Sequence, residues 1–217
     1  MPKAIHTRQR IILAAVELFY NRGYAATGMA DILKKARANS GSFYFFFRSK
    51  EDLLDAVLDW YLANLDPILI RPLYERTEDP MGRIFLLLDD YRQKILITDF
   101  AFTCPIGRLA LEIDPGKKTI HQKIAANFNG WIAAVRKCLD DAADRLPAQA
   151  DREQLAQLVL TVMEGGVMQS RAQQSIRPFD ASVEQLRNYF EHLQKPAGRA
   201  NKPEIRVHSK SSTRKTP

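Results

Sequence analysis

Apolar residues recur at three- and four-residue intervals along almost the whole chain, and that period restricts the fold to packed α-helices. Ile11, Ile12, Ala15, Val16 and Phe19 share one face of a helix from about Thr7 to Asn21, which Gly23 stops. Leu53, Leu54, Val57, Leu58, Tyr61 and Leu65 form a second such face, ended by Pro67. Further helices are expected near Pro80–Thr98, Pro105–Glu112, Lys117–Ala143, Asp151–Arg171 and Ala181–Gln194. No segment alternates with period two for long enough to form a strand, so the fold class is all-α. The aromatic run Phe43–Phe47 resembles a buried strand in composition. Its position between two short helices, with Ser-Lys-Glu-Asp directly after, favours the end of a helix.

The charge is distributed in three blocks. Residues 1–50 carry 9 Lys+Arg and 2 Asp+Glu, residues 51–194 carry 16 and 22, and residues 195–217 carry 7 and 1. The chain is therefore expected to comprise a basic head (1–50), an acidic body (51–194) and a basic tail (195–217). The tail, with Pro196, Gly198 and Pro203 among scattered Ser, Lys and Arg, lacks the apolar residues to offset ordering entropy and is expected to be disordered. It is either a solubilising end or a flexible arm adding phosphate contacts.

Other classes are disfavoured. The start shows no signal-peptide pattern, and the apolar runs Ile11–Val16 and Ile84–Leu88 fall far short of the ~20 residues that span a bilayer. Cys104 and Cys138 are too few for a disulfide framework. These features point to a soluble cytoplasmic protein with no membrane association. The four histidines are scattered and none pairs at metal-ligand spacing; GxSxG, phosphate-loop and HExxH patterns are missing. No metal, no cofactor and no catalytic residue is expected. An architectural DNA binder without an effector is the main alternative to a ligand-controlled one, and a body of about 140 residues argues against it.

Met29–Ala36 reads as a short amphipathic helix starting near Thr27-Gly28, and Ser40–Phe46 as a second one. Two short helices joined by the Arg37-Ala38-Asn39 turn are the helix-turn-helix arrangement, whose second helix enters the major groove. Small residues at its start let the backbone approach DNA, Tyr44 offers a hydroxyl to phosphate, and Lys50 stands where the following helix begins. The candidate DNA-contacting set is Thr27, Arg37, Asn39, Ser40, Gly41, Ser42, Tyr44, Phe45 and Lys50. Phe43 and Phe47 fit a core by their spacing, whereas Phe45 and Phe46 remain open between core and groove. Asp31 is repelled by phosphate and suits helix positioning.

Arg10-Ile11-Ile12-Leu13-Ala14-Ala15-x-x-Leu18-Phe19, Gly23-Tyr24-x-Ala26-Thr27, Asp31-Ile32, Gly41-Ser42-Phe43-Tyr44-x-x-Phe47 and Ser49-Lys50-Glu51-x-Leu53-Leu54 together resemble the TetR family of transcriptional repressors. The resemblance covers about residues 7–60. It implies a three-helix DNA-binding head, a helical ligand-binding body, a palindromic double-stranded DNA operator and a homodimer. Arg37-Ala38-Asn39 departs from the family's Gly-Val-Ser turn, which implies a left-handed Arg37 or a reshaped turn. Phe45-Phe46 replaces a polar-aromatic pair and could touch thymine methyls.

The same resemblance assigns dimerisation to the last two helices, near 151–171 and 181–194, where the small pair Gly165-Gly166 suits either close packing across a dimer axis or ordinary intrachain packing. The middle helices imply a ligand pocket lined by Trp60, Tyr61, Tyr91, Phe100, Phe102, Cys104, Phe128, Trp131 and Met163. Phe102–Glu112 is similar to a Gly-Cys-Leu-x-x-x-Leu-Ala signature of one branch, some of whose members respond to electrophiles through the cysteine. Cys104 precedes Pro105 at an expected helix start, where the helix dipole favours thiolate; the alternative is a small buried hydrophobe. Cys138 reads as core. The expected effector is an apolar or electrophilic small molecule.

Overall fold

Gly23 terminates the first helix and sets the geometry of everything that follows in the head. The computed structural model describes residues 2–194, so the expectation of a disordered basic tail lies outside the described residues. Gly23 has φ +89°, in the region where a Cβ clashes with the backbone. It also lies under another helix: a Cβ there would clash with Arg108 Nη2 and Glu112 Oε1.

Helix α1 (Pro2–Arg22) precedes that turn, and α2 (Met29–Ala36) and α3 (Ser40–Phe46) follow with the bounds expected from their spacing. Arg37 closes α2 in the left-handed conformation, φ 49° and ψ 48°, so of the two expected alternatives the turn takes the left-handed one. Asn39 caps α3 by accepting a hydrogen bond from the Ser42 amide at 2.8 Å. Ser49 caps α4 (Lys50–Leu65), accepting from the Asp52 amide at 3.1 Å.

Pro67 does not end this helix as its spacing suggested. The chain widens into one π-helical turn, Asp66–Ile70, and continues as α5 (Arg71–Arg76). Proline lacks the N–H for an i→i−4 bond and its ring crowds the carbonyl four residues back. A single wide turn accommodates both defects without breaking the helical path.

The body is completed by α6 (Pro80–Ile97), α7 (Pro105–Glu112), α8 (Lys118–Asp141), α9 (Arg152–Gln173) and α10 (Arg177–Gln194). Among the described residues there is no strand, and the fold is all-α. Asp79 and Asp151 cap α6 and α9, each accepting two backbone N–H bonds. The body core is built on α6, α8, α9 and α10, with Leu88, Trp131, Met163 and Phe190 at its centre. The head core does not close on itself. Ile11, Phe19, Ile32, Phe43 and Leu53 continue into Ile106, Leu109 and Ile113 on α7 and its C-terminal end, and into Ile120 and Ile124 on α8.

The two adjacent glycines of α9 differ in role. A Cβ on Gly166 would lie 2.7 Å from Phe179 Cδ2 and 3.4 Å from its Cα, so Gly166 serves the contact of α9 with α10 inside one chain. Gly165 meets nothing closer than 3.9 Å. Phe179 is fully buried and cannot yield. Gly166→Ala is therefore expected to cost about 1–3 kcal/mol by overpacking, whereas Gly165→Ala gains up to about 1 kcal/mol from helix propensity. Urea unfolding of the two variants against the parent measures both; equal shifts would contradict the assignment.

Candidate functional site

Two features of the molecule face outward or inward with chemistry to offer: the surface of α2 and α3, and a cavity between the head and the body. On the surface, Arg37, Asn39, Ser40, Gly41, Tyr44 and Phe45 are exposed together at the turn and along α3, and Ser42 is half-buried beside them. Phe43 and Phe47 are buried, leaving Phe45 at 77% exposure and Phe46 half-buried against it, their rings edge-on at 4.9 Å. Helical rotation cannot bury five successive side chains, so Phe45 is left exposed with Tyr44. Asp31 pairs with Arg22 at 3.5 Å, in keeping with a positioning role.

Two members of the surface set sit elsewhere. Thr27 is buried and its hydroxyl donates to the Gly23 carbonyl at 2.6 Å, with the Leu18 carbonyl at 3.3 Å. It fixes the turn between α1 and α2, and the cap of α2 is Gly28, which makes no side-chain bond. Lys50 is half-buried, donates to the Tyr24 carbonyl and lies 4.2 Å from the Tyr24 ring centroid. Burial lowers its pKa, partly countered by Glu112. The side chain staples α4 to the loop after α1.

The cavity has a volume of about 400 Å³. Its walls come from five helices: Val16, Glu17 and Tyr20 on α1, Trp60, Tyr61 and Asn64 on α4, Tyr91 and Lys94 on α6, Pro105 and Ile106 on α7, and Asn127 and Trp131 on α8. Phe102 and Cys104, in the segment between α6 and α7, complete them together with Leu65 at the end of α4 and Ile68 and Leu69 of the π-helical turn. Six residues of the expected pocket therefore meet: Trp60, Tyr61, Tyr91, Phe102, Cys104 and Trp131. Tyr91 stacks edge-on with Phe102 at 5.4 Å and with Trp131 at 5.8 Å. Three residues are placed away from it. Met163 is 1% exposed in the body core, Phe100 packs on that core with φ 60°, and Phe128 faces the groove between α8 and α9. Spacing does not separate the two interiors for Met163 and Phe128, which the packing of α8 against α9 decides, and Phe100 lies in the turn after α6, where no helical period applies.

The α1 residues and Lys94 were not anticipated. Lys94 stands three residues after buried Tyr91, on the inward side of α6, and a lysine at a core position is the sequence signal for it. Its Nζ lies 5.1 Å from the Tyr91 ring centroid. Burial lowers its pKa, with Asp90 and Cys104 acting in the opposite sense.

Cys104 is the N-cap of α7 and only 4% exposed. The expectation of a dipole-stabilised thiolate is reversed here. Burial pushes the thiol well above its ordinary range, and the Glu164 carboxylate, which accepts its proton in a hydrogen bond, pushes further. The Gly107 and Ile106 amides act in the thiolate's favour and are outweighed. Glu164 is itself raised by burial, and its Oε1 has no hydrogen-bond partner.

At its other end α7 grips the head. Arg108 Nη2 donates to the Arg22 carbonyl at 2.7 Å, and the Ala25 amide donates to Glu112 Oε2 at 3.0 Å. Arg108 and Glu112 also pair with each other at 2.5 Å. Burial opposes the Glu112 charge, but the Ala25 amide and Arg108 hold its carboxyl below the usual range.

Because its pKa is raised, Cys104 stays a thiol through neutral and mildly alkaline pH. Its alkylation by iodoacetamide at pH 8 is expected to run at least ~10-fold slower in the native protein than in urea. Mass spectrometry of the Cys104 peptide reads the rate, and equal rates in the two states would contradict the assignment.

Residues 11–57 match the family described as bacterial regulatory proteins, tetR family. Residues 80–185 match the C-terminal domain described as transcriptional regulator LmrA/YxaF-like. The transcriptional regulator YxaF of Bacillus subtilis is 30% identical over 186 residues, spanning 83% of this chain and 93% of that protein. The transcriptional repressor NemR of Escherichia coli is 22% identical over 184 residues, spanning 84% and 92%. The crystal structure of its reduced form superposes with a TM-score of 0.71 at 25% identity, covering 84% of this chain and 96% of the other. CifR, solved with 26-bp double-strand operator DNA, shares the fold with a TM-score of 0.67 at 22% identity over 82% of this chain and 95% of its own. Among the described residues no helix is long and apolar enough to cross a membrane.

Proposed function

Since the chain belongs to the TetR family of bacterial transcriptional regulators, we propose that it acts as a dimeric repressor, released from a palindromic operator when a small molecule fills the cavity between head and body. The head, residues 1–50, presents α3 to the major groove. Asn39, Ser40, Gly41 and Ser42 allow close backbone approach, Tyr44 donates to phosphate, Phe45 meets thymine methyls, and Arg37 adds charge at the turn. Thr27 and Lys50 contribute by holding the turn and α4 in place. The body, residues 51–194, holds the effector and pairs through α9 and α10, where Leu158, Met168 and Tyr189 remain exposed.

The observation that carries the effector reading is the shared wall. Val16, Glu17 and Tyr20 belong to the helix whose opposite face packs on the helix-turn-helix, yet they line the same cavity as Tyr91 and Trp131 of the body. A ligand there touches both parts at once. In a dimer the two α3 helices must stand roughly 34–36 Å apart, or a multiple, to read one face of B-DNA. A ligand shifts that spacing only by binding one arrangement better than the other, and a cavity whose walls belong to both parts changes shape with their angle.

Footprinting on the DNA upstream of the protein's own coding region tests the reading. A protected palindrome is expected, with Phe45→Ala weakening it and Leu158→Glu reducing both the dimer and the protection. Binding no tighter than to random DNA of equal length would overturn the repressor assignment.

A further inference from the structure

Lys94 narrows the class of molecule the cavity takes. Among the described lining residues it is the one lysine or arginine, and Glu17 is the one acidic side chain. Glu17 is already engaged, pairing with Lys35 at 2.6 Å. Asp90, the acidic neighbour that acts on Lys94, is held by Arg76 at 2.7 Å through both oxygens. No carboxylate of the described residues lies within ion-pair distance of Lys94, whose ammonium rests against the Tyr91 ring. The polar amides are also committed: Asn127 Nδ2 donates to the Leu58 and Lys123 carbonyls and Asn64 Nδ2 to the Trp60 carbonyl. The cavity thus holds one partly desolvated cation without a counter-charge, enclosed by aromatic walls. The N-terminus of α7 lies on the same wall, but the Glu164 carboxyl behind Cys104 offsets its partial positive charge, which leaves Lys94 as the cation an entering anion meets.

We propose that the cavity binds a flat aromatic molecule carrying a single anionic group, with the rings among Tyr20, Trp60, Tyr91 and Trp131 and the anion on Lys94. This specifies the effector of the reading above and rests on it for its regulatory meaning, though not for the binding itself. A bound anion gives Lys94 the partner that folding denies it, and a charge-assisted hydrogen bond in such surroundings is stronger than a neutral one. A neutral molecule of the same shape leaves the ammonium desolvated and unpaired. A cationic one is repelled. The cavity volume of about 400 Å³ suits a small polycyclic ligand.

Isothermal titration of the full-length protein with three matched pairs tests the proposal: benzoate and benzamide, 2-naphthoate and 2-naphthamide, anthracene-2-carboxylate and its amide. At least one carboxylate is expected to bind about 10- to 100-fold more tightly than its amide. Lys94→Met, and separately Lys94→Gln in case the methionine protein does not fold, should bring the carboxylate down to the affinity of the amide and leave the amide unchanged. Equal affinity of acid and amide, a preference that survives both substitutions, or failure of all three carboxylates to bind overturns the proposal. Operator release is read separately by DNA anisotropy. A carboxylate that binds through Lys94 and leaves the protein on DNA supports the anion site while overturning the repressor-release reading.

Discussion

A three-helix head of about fifty residues makes only a marginal core by itself, and the rest of the structure follows from how that core is extended into the body. The apolar faces of α1, α3 and α4 are completed by Ile106, Leu109 and Ile113 at α7 and by Ile120 and Ile124 of α8. The head core is therefore continuous with the body, and packing at that joint contributes to the stability of the head. Polar contacts fix the geometry of the joint. Arg108 and Glu112 bond the carbonyl of Arg22 and the amide of Ala25, satisfying backbone groups at the end of α1 that the helix itself leaves unpaired. Gly23 is the residue that lets them come so close.

Helix α7 then has a distinct contact at each end. Its N-terminal residues, beginning at Cys104, form part of the cavity wall and lie against Glu164 of α9. Its C-terminal turn holds the head. Eight residues at 1.5 Å rise give a rod of roughly 12 Å, short enough to move as one body. In the reading proposed above, a ligand pressing on one end would displace the other, and the α1 residues on the same wall would move with it. The third link is Lys123, which pairs with Asp55 and Asp59 of α4 at 2.7 Å each and ties the connecting helix to α8.

How much of this was legible in the sequence depended on how local the cause was. The bounds of α2, α3 and α7 follow from neighbours within a few residues, and the spacing showed them; the left-handed Arg37 was one of two alternatives that the family resemblance implied, and the Asn39 cap was not anticipated. The paired glycines of α9 read alike until Phe179 of α10 distinguished them. Pro67 looked like a helix end because a proline ends an isolated helix, whereas here the chain passes it in a single π-helical turn. Thr27 and Lys50 looked available for DNA because they flank the recognition elements; their partners, the carbonyls of Leu18, Gly23 and Tyr24, are visible only once α1 turns back. Cys104 is the sharpest case. The rule for a helix N-terminus acts as expected through the Gly107 and Ile106 amides, and is overridden by burial beside a carboxylate sixty residues away. The cavity walls on α1 were hidden for the same reason, since nothing in residues 16–20 distinguishes a side chain facing a cavity from one facing a core.

Coupling between cavity and head is the central claim, and linkage makes it directly measurable. If an aryl carboxylate weakens operator binding, the operator must weaken the carboxylate by the same factor. Titrating 2-naphthoate into the free protein and into the protein saturated with its operator compares the two affinities in one experiment. Weaker binding to the DNA complex, by roughly fivefold or more, is the expected result; the same affinity in both states would contradict a cavity that controls the head.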